Sequence, residues 1–120
     1  MASSINEIDV RLRERREAYE QKRNYLNSIV LRIEQLKAEL KEIEDTISEL
    51  EKLPPSSKVF KTVGTIIIET TVENVLFDLK KRVDELNIWI QRLSRERSKV
   101  SKELLKISSE LSRLSGQHGG

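Results

Sequence analysis

From Ile5 to Leu114 the apolar residues of this chain recur at alternating steps of three and four, and one stretch, Pro54 to Thr71, abandons that repeat altogether. A seven-residue repeat under-winds helices so that one apolar seam faces a partner helix along its whole length. In the first half, Ile5, Leu12, Tyr19, Leu26, Ile33, Leu40 and Ile47 share one seam position. Ile8, Ile29, Leu36, Ile43 and Leu50 share the other, with Arg15 and Lys22 standing where that series calls for apolar groups. The second half repeats the signal from Val72 to Leu114, interrupted by Arg97. Two helices of matching length are predicted, packed antiparallel with Leu50 near Leu76 and Ile47 near Leu79. Outside the seam that register sets Arg32 beside Glu96 and Glu44 beside Lys80.

Within the interruption the period falls to two. Lys58 to Val63 and Thr65 to Thr70 are rich in Val, Ile, Thr and Phe, and Gly64-Thr65 supplies a two-residue turn with glycine first. A β-hairpin is predicted over 58–70. Pro54-Pro55 stops the helix before it, because neither residue can donate an N–H to the preceding turn, and Thr70-x-x-Glu73 has the spacing of a capping box for the helix after it. The fold class is therefore mainly α: a long antiparallel two-helix coiled coil joined by one hairpin. As a single domain over 1–120 it divides into helix 5–53, hairpin 58–70, helix 71–114 and a flexible tail 115–120. The hairpin cannot cover itself. Ile66, Ile67 and Ile68 in succession put branched side chains on both faces, and a lone two-stranded hairpin is marginal in water. Val59, Phe60, Val63, Ile66, Ile67 and Ile68 are accordingly the candidate subunit interface, formed by edge pairing with other subunits.

Composition narrows the function. The 120 residues are 35% charged and 4% aromatic, the profile of long helices. Cysteine is absent, which excludes a disulfide framework and thiolate chemistry. No run approaches a membrane span, and MASSINEIDV lacks the regions of a secretory signal, so a cytoplasmic protein with no membrane partner is expected. Net charge is +2, too small to argue for nucleic acid, and that partner is not expected. Residues 1–25 with 90–120 nonetheless carry 13 basic and 8 acidic groups.

A search for chemistry finds no phosphate loop, no HExxH, no metal-ligand spacing and no triad, so neither an enzyme nor a cofactor is expected. His118 stands alone in the terminal SGQHGG and reads as solvated. Arg11, Arg13, Arg15, Arg16, Lys22 and Arg23 form a basic run, but Glu14, Glu17 and Glu20 are interleaved with it, the pattern of a solvated face. Phe77 and Trp89 flank the seam; Phe77 is placed to pack under the hairpin and Trp89 to cover the coil edge.

The hairpin KVFKTVGTIIIETT, preceded by ISELEKLPPSS and followed by VENVLFDLKKRVDEL between equal heptad helices, resembles a β-class prefoldin subunit of archaeal type. The α class resembles this plan with two hairpins and a longer connector. The resemblance implies a hexamer of two α-class and four β-class subunits, hairpins joined into an intersubunit β-barrel platform, and coils hanging from it. It also implies an ATP-independent holdase that captures unfolded proteins at its coil tips and delivers them to a group II chaperonin.

The charged seam residues all fall in the half of the coil away from the hairpin, Arg15 opposite Leu111, Lys22 opposite Leu104 and Arg97 opposite Ile29. That half is expected to zip loosely and the other tightly. Once Arg15, Lys22 and Arg97 snorkel outward, Ile5, Ile8, Leu12, Leu104, Ile107, Leu111 and Leu114 are left poorly paired, and they are the candidate client-binding residues. The competing expectation is a structural adaptor that oligomerises through its hairpin and docks a folded partner or nucleic acid.

Overall fold

A computed structural model of the chain describes the backbone of residues 2–119 and the side chains of residues 6–116. Four elements follow one another: α1 (Ala2–Leu50), β1 (Lys58–Val63), β2 (Ile66–Thr71) and α2 (Val72–Gly119). They fall into two compact units, one formed by Ile33–Arg92 and the other by Met1–Arg32 with Leu93–Gly120. These are the hairpin unit and the terminal unit below.

In the hairpin unit, α1 tightens before it stops. Lys52 and Leu53 donate to carbonyls three residues back, Glu49 and Leu50, at 3.3 and 3.0 Å. The helix ends at Leu50 rather than at the expected 53, because a residue preceding proline is driven out of the helical region and the last turn winds up ahead of Pro54. Ser57 N–H then donates to Pro54 at 3.0 Å, closing a turn. That turn presents two carbonyls to the next helix: Val72 N–H donates to Ser57 at 2.9 Å and Glu73 N–H to Pro55 at 3.0 Å. Thr71 Oγ1 accepts from Asn74 N–H at 3.3 Å. The capping residue is thus Thr71, and the expected Thr70–Glu73 box is not the cap. Thr71 is the last strand residue and directly precedes α2, whereas Thr70, paired with Val59, lies one residue further back in the strand. Glu73 keeps a carboxylate in the first turn, where the helix dipole favours it.

The strands pair antiparallel with Val63 opposite Ile66, leaving Gly64-Thr65 as the two-residue turn. Gly64 has φ +61° and no other described residue has positive φ, which is the II′ pattern that matches strand twist. Along the seam, Val72 and Leu86 are fully buried and Ile33 and Leu36 nearly so. Leu40, Ile43, Ile47, Leu50, Leu76, Leu79 and Val83 stay half-buried, since two helices alone give a seam no further layer. Glu39 and Arg82 clasp across it with guanidinium-to-carboxylate distances of 3.0, 3.1 and 3.3 Å.

The terminal unit is the more closely sealed, contrary to expectation. Leu12, Ile29, Val100, Leu104, Ile107 and Leu114 are all buried. The reason lies in the residues expected to loosen it. Lys22 Nζ reaches Glu103 at 2.5 Å and Arg15 reaches Glu110 at 3.9 Å, so each cationic head is drawn to a carboxylate on α2 while the side chain as a whole stays half-buried. Arg97 is exposed, and Ile29, its expected opposite, is buried. Of the two outer pairs expected, Glu96 instead accepts from the Tyr25 hydroxyl at 3.3 Å, and Lys80 pairs with Glu51 at 3.1 Å. Finally, α2 continues through Gly119 where a tail was expected from Ser115; no proline interrupts it.

Two outcomes test these contacts. Thr71→Ala should cost about 1 kcal/mol in denaturant unfolding by removing the cap of α2, while Thr70→Ala should cost clearly less. The Lys22 hydrogen bond, above all, holds the Glu103 carboxyl below its ordinary value of 4.5. A carboxyl depressed in the folded state contributes stability above its unfolded value and loses it as pH falls through the folded one. Melting midpoints should therefore drop more steeply below about pH 4.5 for the native chain than for Glu103→Gln, which has no such proton to take up.

Candidate functional site

Alternation along the strands sorts the hairpin into two faces. Val59, Lys61 and Val63 lie with Ile66, Ile68 and Thr70; Lys58, Phe60 and Thr62 lie with Ile67, Glu69 and Thr71. Both faces are apolar and open. On the second, Phe60 and Ile67 are 71% and 70% exposed; on the first, Ile66 is 63% exposed, Val63 and Ile68 less so, and Val59 is half-buried. All six candidate interface residues are thus brought together on one hairpin. Polar contacts sit at its margin, Lys58 with Glu69 at 3.6 Å and Lys61 with Asp78 on α2 at 3.8 Å. The sheet has two strands, so each has one neighbour and one open edge of backbone donors and acceptors. Phe77 does not pack under the hairpin as expected. It is 72% exposed, being one position removed from the seam residue Leu76. Trp89 is half-exposed, with the Arg92 guanidinium 5.6 Å above its ring.

The residues proposed to meet clients lie elsewhere. Leu12, Leu104, Ile107 and Leu114 are buried in the terminal unit, Ile8 and Leu111 are half-buried, and the Ile5 side chain lies outside the described residues, as does that of His118. The seam packs them rather than leaving them poorly paired. Two apolar groups that the seam pattern passed over, Val10 and Leu105, are 49% and 69% exposed in the same unit. Sequence reasoning also passed over the carboxylates that receive Arg15 and Lys22. The signal was present: Glu96, Glu103 and Glu110 are seven residues apart and form one row beside the seam.

No group of acidic, histidine or cysteine residues among the described residues could hold a metal ion. No helix in the described residues is long and apolar enough to cross a membrane. No buried side-chain polar atom among them lacks a hydrogen-bond partner, so no orphaned group points to a missing ligand. What the arrangement offers is surface: an open apolar hairpin and a charged coil.

Comparison with known proteins gives this architecture its relatives. A family model described as prefoldin subunit matches residues 13–118. A prefoldin subunit beta of Pyrobaculum arsenaticum is 39% identical over 82 residues, covering 68% of this chain and 66% of that protein. One of Pyrococcus abyssi is 34% identical over 84 residues, covering 70% and 69%. The alignment with the first of these relatives spans just under two thirds of its length. The crystal structure of the prefoldin beta subunit from Thermococcus strain KS-1 superposes with a TM-score of 0.78 at 25% identity, over 86% of this chain and 90% of that one. Two heptad helices around a single antiparallel hairpin, matched in sequence and in structure, place this chain in the prefoldin subunit family, on the plan of its β class.

Proposed function

We propose that this chain is the β-class subunit of an ATP-independent chaperone, a binding protein without catalysis. Its hairpin joins those of other prefoldin subunits in a β-barrel platform, two α-class and four β-class chains to a hexamer. Its coil holds unfolded proteins and passes them to a group II chaperonin, in the cytoplasm. The observation that carries the reading is the hairpin itself, with Phe60, Ile66 and Ile67 each more than 60% exposed on a sheet whose two edges are open. Such a surface is stable only when covered, and strand addition from another subunit supplies both apolar contact and the missing backbone bonds.

Client capture follows from the same assembly. Unfolded chains expose scattered apolar residues of no fixed sequence, and several coils gripping one chain add weak contacts into useful avidity. In the closed coil Val10 and Leu105 are already accessible and offer the first contact. The seam residues Ile5, Ile8, Leu12, Leu104, Ile107, Leu111 and Leu114 add theirs where an entering client parts the coil. Exposing each buried Leu costs about 1.5–3 kcal/mol, so a client must replace the partner helix as it enters.

Two experiments test the two halves of the proposal. Ile67→Lys forces a charge into the subunit contact and should dissociate the complex in sedimentation; an unchanged oligomer would remove the hairpin from the interface. Arg15→Leu with Lys22→Leu puts apolar side chains in the seam itself, and should raise the melting temperature while lowering suppression of aggregation for several unrelated denatured proteins, assayed without ATP after co-assembly with an α-class subunit. Undiminished suppression would place capture on the outer residues instead of the seam. Protection confined to one folded partner would favour the adaptor reading.

A further inference from the structure

The charges of α2 are sorted by face in the terminal unit. On its inner flank the three acidic residues turn toward α1: Glu96 accepts from Tyr25, Glu103 from Lys22, and Glu110 pairs with Arg15. On its outer face, positions 95, 99, 102, 106, 109 and 113 follow steps of four and three and so share one stripe. They are occupied by Arg95, Lys99, Lys102, Lys106, Ser109 and Arg113, every one exposed. None of the five cations forms a salt bridge among the described residues, and Arg95, Lys99, Lys102 and Lys106 line one open groove with Ser98 and Glu103. Glu103, the single carboxylate there, is already engaged by Lys22. Whole-chain charge conceals this, because the acidic residues that balance the total lie elsewhere.

We infer that this outer stripe of α2 binds the phosphate backbone of a nucleic-acid double helix without regard to sequence. At 1.5 Å per residue the row from Arg95 to Arg113 is about 27 Å long, the length of about eight base pairs. Its composition selects the partner. Lysine is depleted where proteins bind proteins, and those contacts are anchored by aromatic and large apolar groups; this stripe has three lysines and a single exposed apolar neighbour, Leu105. Arginine, lysine and serine are the side chains that hold phosphate oxygens. A single strand would need aromatic platforms for its bases, and α2 has none between Leu93 and Gly116. A duplex presents its phosphates with the bases already stacked and asks for cations alone.

The test uses the full-length chain and a mixed-sequence DNA duplex of about twelve base pairs, short enough for one stripe, with affinity read by fluorescence anisotropy as salt is raised. Five neutralised phosphates predict a loss of about 500-fold between about 50 and 200 mM salt. Lys99→Gln with Lys102→Gln and Lys106→Gln should bind more weakly and lose only about 12-fold over the same range. Ser109→Lys adds a sixth cation to the row and should steepen the dependence, which keeps the proposal testable without removing any group. Arg13→Gln with Arg16→Gln and Arg23→Gln takes the same charge from exposed positions on α1 and should leave the native salt dependence in place. The inference is overturned if the lysine variant keeps the native dependence, if the α1 variant falls as far, or if Ser109→Lys has no effect. It is equally overturned if polyglutamate of matched charge displaces the duplex as readily as a second duplex does, since the ligand would then be an acidic polypeptide.

Discussion

Two backbone hydrogen bonds, Val72 N–H to Ser57 and Glu73 N–H to Pro55, decide where the second helix begins, and the register of the chain follows from that point. Successive helical residues point about 100° apart, so a start one residue earlier or later would rotate the apolar seam away from its partner. Buried Val72 fixes the choice, because it is both the first helical residue and fully enclosed. The prolines that end α1 thus also supply, through Pro55 and the turn to Ser57, the acceptors that open α2. Loop and seam specify one arrangement twice over, which is what a chain needs to avoid alternative pairings.

Seen against the sequence, this division of labour explains which expectations held. The heptads gave both helices, their antiparallel direction and their register: Arg15 and Lys22 were expected opposite Leu111 and Leu104, and they contact the residues one position away, Glu110 and Glu103. Glycine-first turn chemistry located the hairpin, and strict strand alternation divides the six interface candidates between its two faces. What the pattern could not show was what a misplaced cation does with its length. A seam position occupied by lysine reads as a gap, yet four methylenes can cover apolar neighbours while the ammonium reaches a carboxylate outside. Loosening was therefore expected where the structure is sealed. Thr70 and Thr71 were indistinguishable for a related reason, since only the boundary between strand and helix determines which of two adjacent threonines directly precedes α2.

Charge is arranged by face rather than by segment. The basic run of α1 drew attention because its residues are neighbours in sequence, but interleaved glutamates dilute it around the helix. The stripe on α2 is spread over a longer stretch and broken by Glu96, Glu103 and Glu110, so it is inconspicuous in a linear reading. Only when those three carboxylates are seen engaged with Tyr25, Lys22 and Arg15 does the outer face stand as uniformly cationic.

The exposed hairpin carries a consequence for how such a chain can exist at all. Its two strands bond only to each other, and Phe60, Ile66 and Ile67 face solvent. A sheet this small is marginal in isolation, so its order is a property shared with whatever pairs with it. Stability of that kind has a second-order character: it rises with protomer concentration, and no single folding free energy describes one chain. On the proposed assembly, synthesis of such a subunit is matched to that of its partners, because surplus copies would carry an open apolar edge with nothing to close it.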